Sequence, residues 1–150
     1  MKKQYYIALV VLICMSLPEK VLGQNQSTAS LLVGTWSFNY EDSFKKMEPS
    51  ATKGYSRMPQ ARQQTIEKSY KGRKITFNAD GNYLQVLADG RKATGRWTLI
   101  KNDKSIEITD PNGNKYLQRI EEITSTALVL KPENLGTSKM FISEWHYTKH

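Results

Sequence analysis

The sequence predicts an all-β protein, an eight-stranded up-and-down antiparallel barrel with one helix between strands one and two. Three observations predict it. Apolar and polar residues alternate in about eight short segments, the period-two signature of half-buried strands. The pairs Asp80-Gly81, Asp89-Gly90 and Asn112-Gly113 stand between later segments, and these residue types tolerate the positive φ that tight hairpins need. One long interruption, residues 41–72, separates the first strand from the rest. Eight sequential strands on short turns form a meander, and closing it removes the two exposed edges. A mostly dry sandwich of the same order is the alternative.

Upstream of the strands, Lys2 and Lys3 precede an apolar stretch from Tyr5 to Leu17, which Pro18 ends. The stretch is short for a bilayer span, and Val21-Leu22-Gly23 suits a signal peptidase. Residues 1–23 are therefore expected to be a signal peptide, and the chain to be exported, periplasmic or extracellular, with no stable membrane anchor after cleavage. Cys14 does not read as a lipoprotein cysteine, because Ile13 stands where a small residue is needed. Cleavage would leave 127 residues with 19 basic and 13 acidic side chains, net +6, and no cysteine. Such a chain must hold together by packing alone, and its length suits one core. Residues 24–30 read as a flexible polar terminus and 31–150 as the barrel. The basic residues are scattered, with no block of five or six, which reads as solubility more than as a binding patch.

The first strand is placed at about 32–40, with Trp36, Phe38 and Tyr40 on one face. Residues 41–58 read as a polar loop punctuated by Pro49 and Gly54. Residues 59–71 read as a helix, proline suiting its first turn and Gly72 its stop. Its apolar stripe, Ala61, Ile66 and Tyr70, is thin, so it should cap something. The remaining strands are expected at 73–78, 83–88, 91–100, 104–109, 115–121, 126–131 and 139–148, with a loop from Pro132 to Gly136. The last strand is apolar on both faces. An unpaired buried carboxylate at Glu144 would be costly, which favours Trp145 inward.

Three short motifs then carry a resemblance. Gly34-Thr35-Trp36 sits in the first strand, Ile75 to Tyr83 spans a strand and turn, and Gly95-Arg96-Trp97 gives a second Gly-x-Trp. In this order the chain resembles the lipocalin-like domains of secreted bacterial proteins, in the calycin superfamily, over about 31–148. The resemblance implies a closed barrel with a small apolar ligand as partner. It also calls for an arginine over the first-strand tryptophan, for which Lys149 is a poor substitute. Physically, Gly34, Trp36, Gly95 and Trp97 read as structural: each indole can plug the barrel, and each glycine lets backbone approach beside it.

No catalytic constellation is present. The nucleophile-elbow, zinc-protease and phosphate-loop patterns do not occur. His146 and His150 share a strand face but lack a third ligand, so no metal or cofactor is implied. Nucleic acid is set aside because the aromatics fall on the inner face. The oligomeric state is open. Two functions stand: a non-catalytic carrier of a small apolar molecule held in or at the barrel mouth, or a structural or interaction module of the cell envelope with a filled barrel. The inner residues are bulky, so the pocket should be small or shallow, near the open end beside the helix. A barrel admits ligand only at an end, and the Trp36 end should be plugged, so Phe38, Tyr40, Ile66 and Tyr70 are the candidate ligand-binding residues. We expect intact mass of the protein from its native host to show a species beginning at Gln24; a mature species that keeps Cys14 would overturn the export reading.

Overall fold

The computed structural model describes residues 26–133 and 142–150. The signal peptide expected at 1–23 lies outside the described residues, as do Met140 and Phe141. Eight strands form one closed antiparallel barrel in sequence order: β1 (Gly34–Phe38), β2 (Lys74–Phe77), β3 (Asn82–Val86), β4 (Lys92–Ile100), β5 (Ser105–Thr109), β6 (Lys115–Ile123), β7 (Ala127–Glu133) and β8 (Trp145–Lys149). β1 meets β8 with Trp36 opposite Lys149 and Phe38 opposite Tyr147, so the sheet has no open edge. β7 continues through Pro132, where the sequence suggested a loop. Proline lacks an N–H, but its carbonyl and side chain still fit opposite Gln118.

β1 is shorter than expected at both ends. Thr28–Leu32 wind into a short helix, α1, which Ser27 caps by accepting from the Ser30 N–H. At the other end Asn39 caps α2 (Tyr40–Lys45). Its side chain accepts from the Asp42 N–H at 3.1 Å and donates to the Asp42 carboxylate at 2.8 Å. Asn at an N-cap satisfies an otherwise orphan donor. That cap stops the alternation at Phe38, so Tyr40 is a helical residue and not a strand residue. Ser43, fully buried, then pins α2 to the sheet: its hydroxyl donates to the Asn39 carbonyl and accepts from the His146 N–H at 2.9 Å.

The interruption holds more helix than the sequence suggested. Pro49 opens α3 (Pro49–Ser56), a favoured first-turn position, and α4 (Gln60–Tyr70) follows with Pro59 at its cap. Neither helix has a fully buried residue. α4 is the helix expected at 59–71; α2 and α3 replace the expected loop.

Alternation sorts the wall. Trp36, Phe38, Ile75, Phe77, Tyr83, Trp97, Ile106, Ile108, Leu128, Leu130 and Tyr147 form one buried cluster, joined by Leu32 and Ile142. Trp145 and Tyr147 face inward on β8, which leaves Glu144 and His146 on the outside, 3.6 Å apart. Around Trp36 the barrel is full. Trp36, Phe77, Ile106 and Leu128 have no solvent exposure, and the Phe77 and Trp97 rings meet edge to face at 5.5 Å.

The plug at this end is more than packing. The Trp36 Nε1–H donates to the Leu32 carbonyl at 2.8 Å. The Lys149 ammonium lies 4.9 Å from the centre of the Trp36 ring and donates to the Leu31 carbonyl at 2.7 Å. Lys149 thus fills the place for which the sequence seemed to lack a cation. Gly34 is needed beside it: its φ is +134°, and a Cβ there would fall 2.7 Å from the Lys149 Cε. Gly95 has a different reason, since a Cβ would lie 2.5 Å from the Thr109 carbonyl oxygen. Trp36→Ala removes a fully buried indole and one buried hydrogen bond, and we expect a loss of about 3–5 kcal/mol in denaturant unfolding. Lys149→Met keeps the stem and should cost about 1 kcal/mol. A loss for Trp36→Ala below that of Lys149→Met would contradict the plug.

Candidate functional site in the barrel mouth

The opposite end, where β1 leaves at Phe38, is only partly covered. The helices stand over the β1 and β8 sector. Tyr70 of α4 lies 5.7 Å from Phe38 and 5.9 Å, edge on, from Phe44 of α2. The Tyr40 ring sits 3.9 Å from Phe44, and its hydroxyl is 3.3 Å from that of Tyr55. Ile66 is half-buried on α4. Phe38, Tyr40, Ile66 and Tyr70, the candidate ligand residues of the sequence, therefore gather at the lid. Phe38, Tyr40 and Tyr70 take part in an aromatic clamp that fastens the helices to the barrel.

The cavity lies beside that clamp. A hollow of about 310 Å³ is lined by Tyr83 and Gln85 of β3, Ala93 and Thr94 of β4, Ile108 and Asp110 at the end of β5, Tyr116 and Gln118 of β6, and Trp145 of β8. None of the four lid residues lines it. Register explains the membership. Gln85 is opposite Ala93, and Gln118 opposite Ile106, so the inward rows of β3 to β6 continue past the filled core toward the rim. Small Ala93 leaves the space open, and Tyr116, 52% exposed, marks the rim. A separate groove, about 400 Å³, runs outside the barrel between α4 and the β3–β4 turn, lined by Lys68, Ser69, Arg73 and Leu87 to Asp89 with Arg91.

Two polar atoms distinguish the inner cavity. Among the described residues, four buried side-chain atoms lack a hydrogen-bond partner: Ser105 Oγ, Gln118 Oε1, Trp145 Nε1 and His146 Nε2. Two of these, Gln118 Oε1 and Trp145 Nε1, belong to residues lining the cavity. One is an acceptor and the other a donor. A buried polar group without a partner costs about 1–3 kcal/mol. Their strands flank β7, about 10 Å apart at two strand spacings.

The rim carries one charge. The Asn114 side-chain amide donates to Asp110 at 2.9 Å. The backbone N–H groups of Asn112 and Asn114 and the Tyr116 hydroxyl add three more bonds. Together these hold the Asp110 carboxyl below the usual carboxylate range, with the Asn114 amide foremost. No cationic side chain lines the cavity. Among the described residues no three His, Cys, Asp or Glu side chains group as a metal site. His146 faces Glu144, while His150 contacts Ser37.

Sequence reasoning missed Gln85, Gln118 and Trp145 as a set. Gln118 reads as an ordinary polar strand residue, and only the closure of the barrel brings it onto the same hollow as Trp145. The available signal was a polar residue between the inward Tyr116 and Ile120 of β6; on β3 the sequence suggests Leu84 and Val86 as the inward pair, and the structure instead turns Tyr83 and Gln85 inward.

Residues 32–130 match the family of lipocalin-like domains. A solved structure of a DUF4847 family protein from Bacteroides vulgatus ATCC 8482 is 21% identical, with a TM-score of 0.46, over 80% of this chain and 94% of that one. No curated protein matches.

Three tyrosines report on both regions through pH. Burial raises the hydroxyl pKa of Tyr83 and Tyr147. Burial and then the Tyr55 hydroxyl raise that of Tyr40. In the unfolded chain each ionises near its ordinary value of about 10. Above that pH the unfolded form releases protons that the folded form keeps. Stability is therefore whole below about pH 10 and falls as pH rises toward the folded values. We expect the denaturant midpoint to fall on that alkaline limb, and Tyr40→Phe to shallow the fall. An alkaline limb unchanged by Tyr40→Phe would place that hydroxyl in water.

Proposed function

We propose that this chain, which belongs to the lipocalin-like domain family, is a non-catalytic binding protein that holds a small, uncharged, amphipathic molecule in the mouth of its barrel. One observation carries the reading: Gln118 and Trp145 both line the hollow, and each holds a buried polar atom without a partner, an acceptor on the first and a donor on the second. In this reading the two side chains turn toward the hollow on binding, a ligand that offers one donor and one acceptor satisfies both, and Tyr83, Ile108 and the Trp145 ring cover its apolar body.

Size and charge narrow the class. About 310 Å³ is at the low end of ligand pockets, which run from roughly 300 to 1,000 Å³. A long acyl chain does not suit it. An anionic headgroup would meet Asp110 with no cation to balance it, which disfavours fatty acids. A hydroxyl, amide or lactam edge on a compact apolar body fits better. In this reading the molecule would be met outside the cytoplasm, after export. The filled-barrel interaction module gains no support from a hollow of this kind.

Mass spectrometry of an organic extract of the purified protein should find a small neutral compound in stoichiometric amount. Nile red, a neutral dye, should quench tryptophan fluorescence where palmitate does not. Gln118→Leu and Trp145→Phe should each weaken binding of the extracted compound about fivefold or more, the worth of one hydrogen bond near 1 kcal/mol. Both should leave folding intact, because neither removes a hydrogen bond that the buried polar atom makes within the protein. Unchanged affinity in both variants, or tight palmitate binding, would overturn the reading.

A further inference from the structure

We propose that the helical segment over the barrel mouth is a docking surface for an anionic phospholipid bilayer. The argument begins with where the charge is. Residues 45–74 contain nine of the 22 Lys and Arg and two of the 14 Asp and Glu. Thirty residues thus carry +7 of the chain's net +8, and the other 120, with 13 basic and 12 acidic, are close to neutral. The excess lies in one stretch of sequence, on α3, α4 and their flanks.

The structure separates two kinds of cation. On the barrel wall, Lys101, Lys115 and Arg119 pair with Glu133, Glu107 and Glu121. In the helical segment Lys45 and Lys71 pair with Asp42 and Glu67, and Arg73 lies over the Tyr70 ring. The other six, Lys46, Lys53, Arg57, Arg62, Lys68 and Lys74, are all exposed and form no salt bridge among the described residues. Six unpaired cations on about thirty residues repel one another, a cost that an anionic partner offsets. Solubility alone is served as well by mixed charge.

The choice of a bilayer rests on shape and place. Among the described residues the exposed large hydrophobic is Tyr116, on the barrel rim, so no exposed aromatic interleaves with the helix cations to stack bases. Met58 is half-exposed beside Arg57 at the α3–α4 turn, an apolar group that can sit at headgroup level. Juxtamembrane Lys and Arg are drawn to the negative potential of acidic lipids within a Debye length of the surface. Among the described residues no helix is long and apolar enough to cross a membrane, so the contact is peripheral. The helices also follow Phe38 at the end where the cavity opens. A docked lid therefore sets the mouth against a phase in which an amphipathic molecule dissolves. That last point rests on the proposed binding function; the docking does not.

The test is co-flotation with vesicles, using protein purified after export with its N-terminus set by intact mass. Vesicles of phosphatidylcholine with phosphatidylglycerol should carry the protein up. Vesicles of phosphatidylcholine alone should not, and added salt should release it. The combined variant Lys53→Glu, Arg57→Glu, Arg62→Glu and Lys68→Glu should weaken flotation about tenfold or more. The control Lys92→Glu, Lys104→Glu and Lys131→Glu, on the barrel, should weaken it much less. The denaturant midpoint and near-ultraviolet circular dichroism of the helix variant show that its barrel is folded, and Gln118→Leu should float normally, so failure of either proposal is seen without the other. Equal loss in the helix and barrel variants, no flotation with acidic lipid, or tighter binding to heparin or duplex DNA than to acidic vesicles would each overturn it.

Discussion

The closure of β1 against β8 around Trp36 is the constraint on which the rest of the structure depends. The first and last strands are the farthest apart in sequence, and their pairing costs the most chain entropy. Trp36 offsets that cost at the seam. Its ring is fully buried, its N–H holds the Leu32 carbonyl, and Lys149 from β8 covers its face while holding the Leu31 carbonyl. The two ends of the sheet and α1 are thereby tied through one side chain. Gly34 suits this arrangement, because its φ of +134° is one that L side chains rarely adopt, and a Cβ there would also press on the end of the Lys149 side chain.

Filling one end leaves the other free to be different. Phe77, Ile106 and Leu128 join Trp36 in a dry half with no solvent exposure. Toward the mouth the inward rows change to Gln85, Ala93 and Gln118, smaller or more polar, and the interior becomes a hollow. The helices are fastened beside β1 by the rings of Phe38, Phe44 and Tyr70. The barrel therefore divides its work. Packing that supplies stability is concentrated around Trp36, and two of the four buried polar atoms without a partner among the described residues belong to side chains at the mouth.

The charge follows the same axis. The barrel wall pairs many of its ions and is nearly neutral, whereas the helices at the mouth carry almost all the excess. The cavity itself bears an anion, Asp110, at its rim. Cations on the lid favour an acidic partner there, and Asp110 at the rim disfavours an anionic one in the hollow.

The sequence by itself determined the strands, their order and much of the core. Period-two alternation and Asp-Gly or Asn-Gly turns are local signals, so the meander and the roles of Trp36 and Trp97 were legible from neighbouring residues. Some local signals were also there to be read and were not, such as Asn39 with Asp42 as a helix cap and Pro49 as a helix start. Tertiary structure alone decided three things. Lys149 reaches Trp36 only when the barrel closes, across more than a hundred residues. Gln118 and Trp145 share a hollow only because β6 and β8 flank β7 at the rim where side chains run out. The four lid candidates lie beside that hollow, not in it, because three helices, and not one, fill the space above β1 and β8. Each of these depends on contacts between residues distant in sequence, and such contacts leave no trace in the local pattern of one chain.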